Sequence, residues 1–171
     1  MIAFNGKIEA LAALHDRRNF SCGEPVLDDY LKRFARQHAA SNLSRTYVAA
    51  HGERGERIAG YYSLAMSAIR KEHLPSQHHK RFPNYPVPVA RLARLAVDRI
   101  RQGQGLGQLL LMDALYRCHR LSSEIGSAGV VVDAKHAGAQ RFYRQFNFET
   151  FPDSPLTLWL PAAAITKLFD K

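Results

Sequence analysis

Only two cysteines and one tryptophan occur among 171 residues. Cys22 and Cys118 stand far apart, in neither metal-ligand nor redox spacing, so no disulfide framework or zinc site is built on them. Long apolar runs are missing too. No stretch approaches the roughly 18 residues of a membrane span, and the opening MIAFNGKIEALAALHD lacks the apolar centre of a signal peptide. Acid is scarce relative to base: Lys+Arg 24 against Asp+Glu 15 gives a formal charge of +9 and a pI near 9.9. That balance favours polyanionic partners such as nucleic acid or nucleotides and disfavours polycations such as polyamines. There is no internal repeat and no low-complexity tract. What remains is an ordinary globular mixture, 46% hydrophobic and 23% charged. At this length residues 1–171 read as one domain with a core that needs no staple, cytoplasmic and without a membrane segment.

Apolar residues at Val26, Leu27, Tyr30, Leu31, Phe34 and Ala35 step at three and four, predicting a helix over 25–43 that Pro25 opens and Asp28 and Asp29 favour by charge. Thr46–Ala50 and Ile58–Ile69 read as a hairpin around the polar turn 51–56. Four prolines and three histidines between Arg70 and Pro88 predict an exposed loop. His73, His78 and His79 lie in this Pro-rich basic stretch with no cysteine among them, so a solvated loop is expected and no metal. Val87–Val97 reads as a strand. A glycine-rich turn leads into a helix whose buried stripe is Leu106, Leu109, Leu110, Ala114, Leu115, Cys118 and Leu121. Strand 130–132 ends at Asp133, a helix runs over 137–146, and strands near 147–151 and 156–160 follow. The tail from Pro161 onward, with Ile165, Leu168 and Phe169, is either a packing helix or an interface. The order predicts an α/β (α+β) domain on one mixed sheet flanked by helices.

The densest chemistry lies at Gln102-Gly103-Gln104-Gly105-Leu106-Gly107, between a strand and a helix. Alternating glycines admit a ligand close to the backbone, and the new helix aims N–H groups and a positive dipole at it, which suits a phosphate or pyrophosphate. A P-loop fails because Gln108-Leu109, and not Lys-Ser/Thr, follows the last glycine. A dinucleotide fingerprint has its acid in Asp133, but the spacing is G-x-G-x-G. A turn that binds nothing stays possible for glycines alone.

The segment is similar to motif A of the Gcn5-related N-acetyltransferases (GNAT), Gln/Arg-x-x-Gly-x-Gly/Ala, with Gln102, Gly105 and Gly107 on its fixed positions. Residues 139–148, AQRFYRQFNF, resemble the family's motif B, A-x-x-F-Y-x-x-x-x-F. The opening Phe20-Ser21-Cys22-Gly23 with Leu27-Asp28-Asp29-Tyr30-Leu31, and Ala93–Asp98, resemble one branch: the acetyltransferase toxins of bacterial toxin–antitoxin pairs, of the TacT, AtaT and KacT type. The likeness runs from about Phe20 to Leu160.

The resemblance implies a mostly antiparallel sheet whose splayed central strands admit acetyl-CoA as co-substrate, with no metal. Leu95, Ala96 and Val97 would pair with the pantetheine arm. Arg101, Gln102, Gly103, Gln104, Gly105, Leu106 and Gly107 would surround the pyrophosphate, and Asp133, Ala134, Phe142 and Phe146 would border the cofactor, although Phe142 and Phe146 also read as core. Tyr143 would protonate the departing thiolate; alone it reads as a half-buried helix tyrosine. His136 reads as a solvated or capping residue in preference to a base, and Cys22 as a small buried residue in preference to a nucleophile. The implied reaction is direct attack by the α-amino group of aminoacyl-tRNA, which blocks translation. An α-amino group ionises near 8, lower beside an ester, so it needs no dedicated base, unlike a lysine near 10.4. Arg33, Arg36, Arg91 and Arg94 are the candidate tRNA contacts on exposed-looking segments. A ribbon-helix-helix antitoxin and a homodimer are implied partners. Acetylation of a protein or small-molecule amine, and a non-catalytic nucleic-acid-binding domain on the same scaffold, are the alternatives.

Overall fold

A computed structural model describes residues 4–170. In chain order the elements are β1 (Lys7–Ala10), α1 (Pro25–Asp29), a π-helical turn (Tyr30–Phe34), α2 (Ala35–Ala40), β2 (Arg45–His51), β3 (Arg57–Ile69), β4 (Val87–Val97), α3 (Leu106–Ser122), β5 (Gly129–Asp133), α4 (Ala137–Arg144), β6 (Glu149–Phe151), β7 (Ser154–Pro161) and α5 (Ala162–Phe169). The strands form one mixed sheet in the order β1-β2-β3-β4-β5-β7-β6. No described helix is long and apolar enough to cross a membrane. The chain divides into two compact units: Met1–Ala65 with Ala93–Ala114, and Met66–Leu92 with Leu115–Lys171.

In the first unit the expected hairpin forms, β2 against β3 from Arg45↔Leu64 to His51↔Arg57, with a bulge at Ala49/Ala50. β1 adds an antiparallel edge, Lys7↔Ala50 to Ala10↔Tyr47. Sequence reasoning missed it because four residues carry too little alternation to stand out. The core joins Phe20, Leu27, Tyr30, Leu31, Val48, Ile58, Tyr61 and Ala96. The predicted helix over 25–43 ends at Ala40 and is broken by the π turn, which changes the angle between residues four apart. Phe34, expected on the buried stripe, is therefore 40% exposed; Val26, in the first turn of α1 ahead of the π turn, is 64% exposed. Gly60 lets β3 lie close to its neighbours: a Cβ there would stand 2.8 Å from Leu110 Cδ1 and 2.9 Å from the Ala96 carbonyl.

In the second unit β5 pairs in parallel with β4 over Ala90–Leu92 only, while β4 itself continues to Val97. β7 lies antiparallel to β5 and β6. Ile69, Leu74, Val87, Val89, Val131, Phe151 and Trp159 form its core. Segment 70–88 is not the exposed loop its composition predicts. It forms 3-10 turns at Lys71–His73 and Ser76–Arg81 and buries Leu74 and His78. His78 Nε2 lies 2.9 Å from Glu149 Oε2, and its ring meets Trp159 edge-on at 5.0 Å. Proline ends regular hydrogen bonding without deciding burial, and the acidic partner comes from a distant strand. On α3, Leu106, Leu110, Ala114, Leu115 and Cys118 are buried as expected, whereas Leu121 in its last turn is 38% exposed. The tail resolves into α5, which packs Ile165 inward and sets Phe169 against Tyr116 and His119.

Candidate functional site

The glycine loop belongs to the first unit. Asp98 caps the single turn Arg99–Arg101 by accepting from the Ile100 N–H, and its second oxygen accepts from the Ser21 N–H at 3.2 Å. Gly103 and Gly105 then take φ of +76° and +87°, backbone that an L side chain strains to adopt. These reversals start α3 at Leu106, so the N–H groups of Leu106, Gly107 and Gln108 have no carbonyl four residues back within the helix. Together they present a short row of donors at a positive helix end, the arrangement that receives an anionic diphosphate.

Individual side chains in the loop play roles that spacing does not reveal. Gln102 is exposed but folds back on the chain: its Nε2 donates to the Cys22 and Val97 carbonyls, both at 2.9 Å, and clamps the loop to the end of β4. Gln104 donates to Ile100 O at 3.3 Å. Leu106 is buried, so its side chain serves the core and only its backbone could serve a ligand. Ala96 is also buried, between the half-buried Leu95 and Val97. Arg101 donates to His51 Nδ1 at 3.3 Å. Burial, with the Arg101 and Arg57 charges, holds His51 below the ordinary imidazole value, which suits that acceptor role. His51 was not among the sequence candidates, because its partner lies far along the chain and a polar turn conceals it.

The candidate arginines are less free than their segments look. Arg94 is half-buried, with its guanidinium 3.5 Å from the centre of the Tyr30 ring. Arg91 is half-buried, pairs with Asp133 and donates to Ser67. Arg33 and Arg36 are exposed, Arg33 lying 3.5 Å from Asp29.

Tyr143 belongs to the second unit. His136 caps α4, its Nδ1 accepting from the Ala139 N–H at 3.1 Å, which is the capping reading. Asn147, at φ +68°, closes the helix in the left-handed region. Tyr143 is only 6% exposed, with Phe142 and Phe148 ring centres 5.2 and 5.5 Å away. Burial, aided by the Asp133 carboxylate, pushes the phenol well above its ordinary value, so it stays protonated. Phe142 and Phe146 are half-buried and mutually edge-on; the core residue of this segment is Phe148. Asp133 is occupied by Arg91 and by Thr157, whose hydroxyl donates at 3.2 Å. Ala134 is buried and spends its N–H on Leu156 O.

Neither thiol is poised to react. Burial, with Asp28 beside it, pushes Cys22 up to about 11, and burial pushes Cys118 up to about 12. Among the described residues no group of His, Cys, Asp or Glu gathers as for a metal ion.

A profile for the acetyltransferase (GNAT) domain matches residues 42–150. A tRNA-acetylating toxin of Mycobacterium tuberculosis is 42% identical over 145 residues, 85% of each chain. A crystal structure of a KacT tyrosine-to-phenylalanine mutant has TM-score 0.91 at 29% identity, covering 95% of this chain and 98% of that one. AtaT complexed with acetyl-methionyl-tRNAfMet has TM-score 0.90 at 30% identity, covering 96% and 99%. AtaT bound to the C-terminus of the antitoxin AtaR and to acetyl-CoA has TM-score 0.84 at 27% identity, covering 96% and 98%. With the profile spanning more than half of its length and a relative of this identity across most of it, the chain belongs to the GNAT acetyltransferase family.

Proposed function

We propose that this chain transfers the acetyl group of acetyl-CoA to the α-amino group of an amino acid esterified to tRNA and so blocks translation. The observation that carries the reading is its 42% identity with a tRNA-acetylating toxin over 85% of both chains; the likeness to AtaT in complex with an acetylated aminoacyl-tRNA supports the same acceptor. The residues fit the co-substrate. Gly103 and Gly105 open the backbone before α3, whose first N–H groups and dipole suit the pyrophosphate. Arg101, steadied by His51, adds charge there. The end of β4 at Leu95–Val97 runs past its register with β5, leaving strand backbone suited to an amide-bearing arm.

Acetyl-CoA supplies the carbonyl that a neutral amine attacks and the thiolate that must be protonated as it leaves. The Tyr143 phenol holds that proton. Its raised pKa does not disqualify it, since the pKa of the leaving thiol in the same dry surroundings is raised as well. The α-amino group of an aminoacyl ester is substantially neutral near pH 7.5 and needs no protein base.

The whole chain acts as one acetyltransferase domain in the cytoplasm, where charged tRNA is found, as a homodimer. A ribbon-helix-helix antitoxin with an acidic or amphipathic tail would restrain the basic protein; AtaT bound to the C-terminus of AtaR supports a partner of this kind. The test is acetyl transfer from labelled acetyl-CoA to charged bulk tRNA, with uncharged tRNA and free amino acids as controls. Label on charged tRNA alone, released with the amino acid by mild base, is the expected result; binding of acetyl-CoA without such transfer overturns the acceptor.

A further inference from the structure

The π turn carries an aromatic row that starts in the core at Tyr30 and ends at the exposed Phe34. Arg94 stacks on one ring, its guanidinium 3.5 Å from the Tyr30 centroid. Phe34 follows at 6.5 Å and 27° from Tyr30, and His38 packs against both, at 5.3 and 6.0 Å. Tyr30 is fixed through its hydroxyl to Ser44 at 2.8 Å and His38 at 3.2 Å. The row is therefore rigid at its buried end, while Phe34 at the other end is 40% exposed. Leaving a phenylalanine in water forgoes burial that a regular helix would favour, and π turns cluster at functional sites.

Charge around the row identifies its occupant. Arg33 lies 6.0 Å from the Phe34 ring centre and 3.5 Å from Asp29, so that cation is partly neutralised. Asp28 is engaged with the Cys22 N–H. Among the described residues, no carboxylate forms an ion pair with Arg36 or Arg94. An exposed ring with one cation beside it, in a row that ends on a second guanidinium without an ion pair, is how proteins hold unpaired nucleotides, the ring stacking a base and the cations taking phosphates. A duplex offers no free base face, whereas the 3′ end of a charged tRNA does.

We propose that Phe34 is a stacking platform for an unpaired base at the 3′ end of the charged tRNA, with Arg94 at the other end of the row contacting an adjoining phosphate. This rests on the reading of aminoacyl-tRNA as acceptor and adds the element that recognises its single-stranded end. One lost base stack corresponds to roughly a 5- to 150-fold weaker interaction.

The experiment compares the full-length protein with Phe34→Ala, Phe34→Trp and Arg94→Gln, using bulk charged tRNA and acetyl-CoA. Phe34→Ala should raise KM for charged tRNA by about tenfold or more, with kcat and the Kd for acetyl-CoA within about twofold, and Phe34→Trp should restore it. Arg94→Gln should lower the slope of log KM against log salt by about 0.7, one single-strand phosphate contact. An unchanged KM in Phe34→Ala overturns the proposal. So does a parallel loss of acetyl-CoA affinity, which marks a structural role. Sedimentation is read on the same samples: loss of a dimer in Phe34→Ala overturns it in favour of an interface between copies. If the parent protein transfers nothing to charged tRNA, the acceptor assignment fails first, and that outcome is seen before any variant is compared.

Discussion

Replacing Tyr143 by phenylalanine removes one hydroxyl and leaves the packing in place. The ring lies within ring-contact distance of Phe142 and Phe148 and is 6% exposed, and phenylalanine fills the same space. The cost to stability is therefore at most about 1 kcal/mol, a few degrees in melting temperature for a chain of this size. The effect on chemistry is far larger. A positioned general acid contributes about 100- to 10,000-fold, roughly 3–5 kcal/mol of barrier. Single-turnover transfer to charged tRNA should fall by that factor while acetyl-CoA still binds with a Kd within about twofold. The pH profile checks the same assignment. Burial and the Asp133 charge hold the phenol above its ordinary value of about 10, so the required acid form persists across the usual range. Activity of the parent should rise with pH as the ester-lowered amine deprotonates below about 8, level off, and show no alkaline fall below about pH 10. A phenylalanine variant within threefold of the parent refutes the acid role.

Gly105→Ala forces a side chain onto φ +87°, a strain of about 1–2 kcal/mol; titration calorimetry should show acetyl-CoA binding weakened about tenfold or more. Gln102→Ala removes two 2.9 Å hydrogen bonds that clamp the loop, each worth about 1 kcal/mol; steady-state kinetics should show KM for acetyl-CoA rising with kcat little changed. Gly60→Ala places a methyl group 2.8–2.9 Å from Leu110 and the Ala96 carbonyl, and overpacking of about 1–3 kcal/mol should lower the melting temperature. Alkaline stability follows from the buried thiols. Cys22 and Cys118 ionise at about 11 and about 12 in the fold and near 8.5 when unfolded. The folded values are raised, so stability is full below pH 8.5 and is lost as pH rises toward 11–12. Thermal melts should decline over that window, less steeply in Cys118→Ala.

Much of the site was legible in the residues themselves. The glycine spacing 102–107 with a helix behind it, the order of strands and helices from Thr46 onward, and the AQRFYRQFNF segment are local patterns, governed by backbone freedom and side-chain periodicity over a few residues. Those local rules place the glycine loop ahead of its helix, whereas Tyr143 stands out only through the resemblance of AQRFYRQFNF to motif B, and His136 reads equally as a solvated or a capping residue. Tertiary structure decided whatever depends on distant partners. Gln102 folds back on the loop because carbonyls of Cys22 and Val97 accept from it, and His78 is buried because Glu149 and Trp159 close over it. Arg91 and Arg94 look exposed in a charged sequence, yet Asp133 and the Tyr30 ring hold them. Phe34 belonged by spacing to the buried stripe, until a π turn changed the helical angle and left it outside. Periodicity fixes which residues share a face under an assumed helix, and only the packed chain determines whether that assumption holds and which group lies opposite.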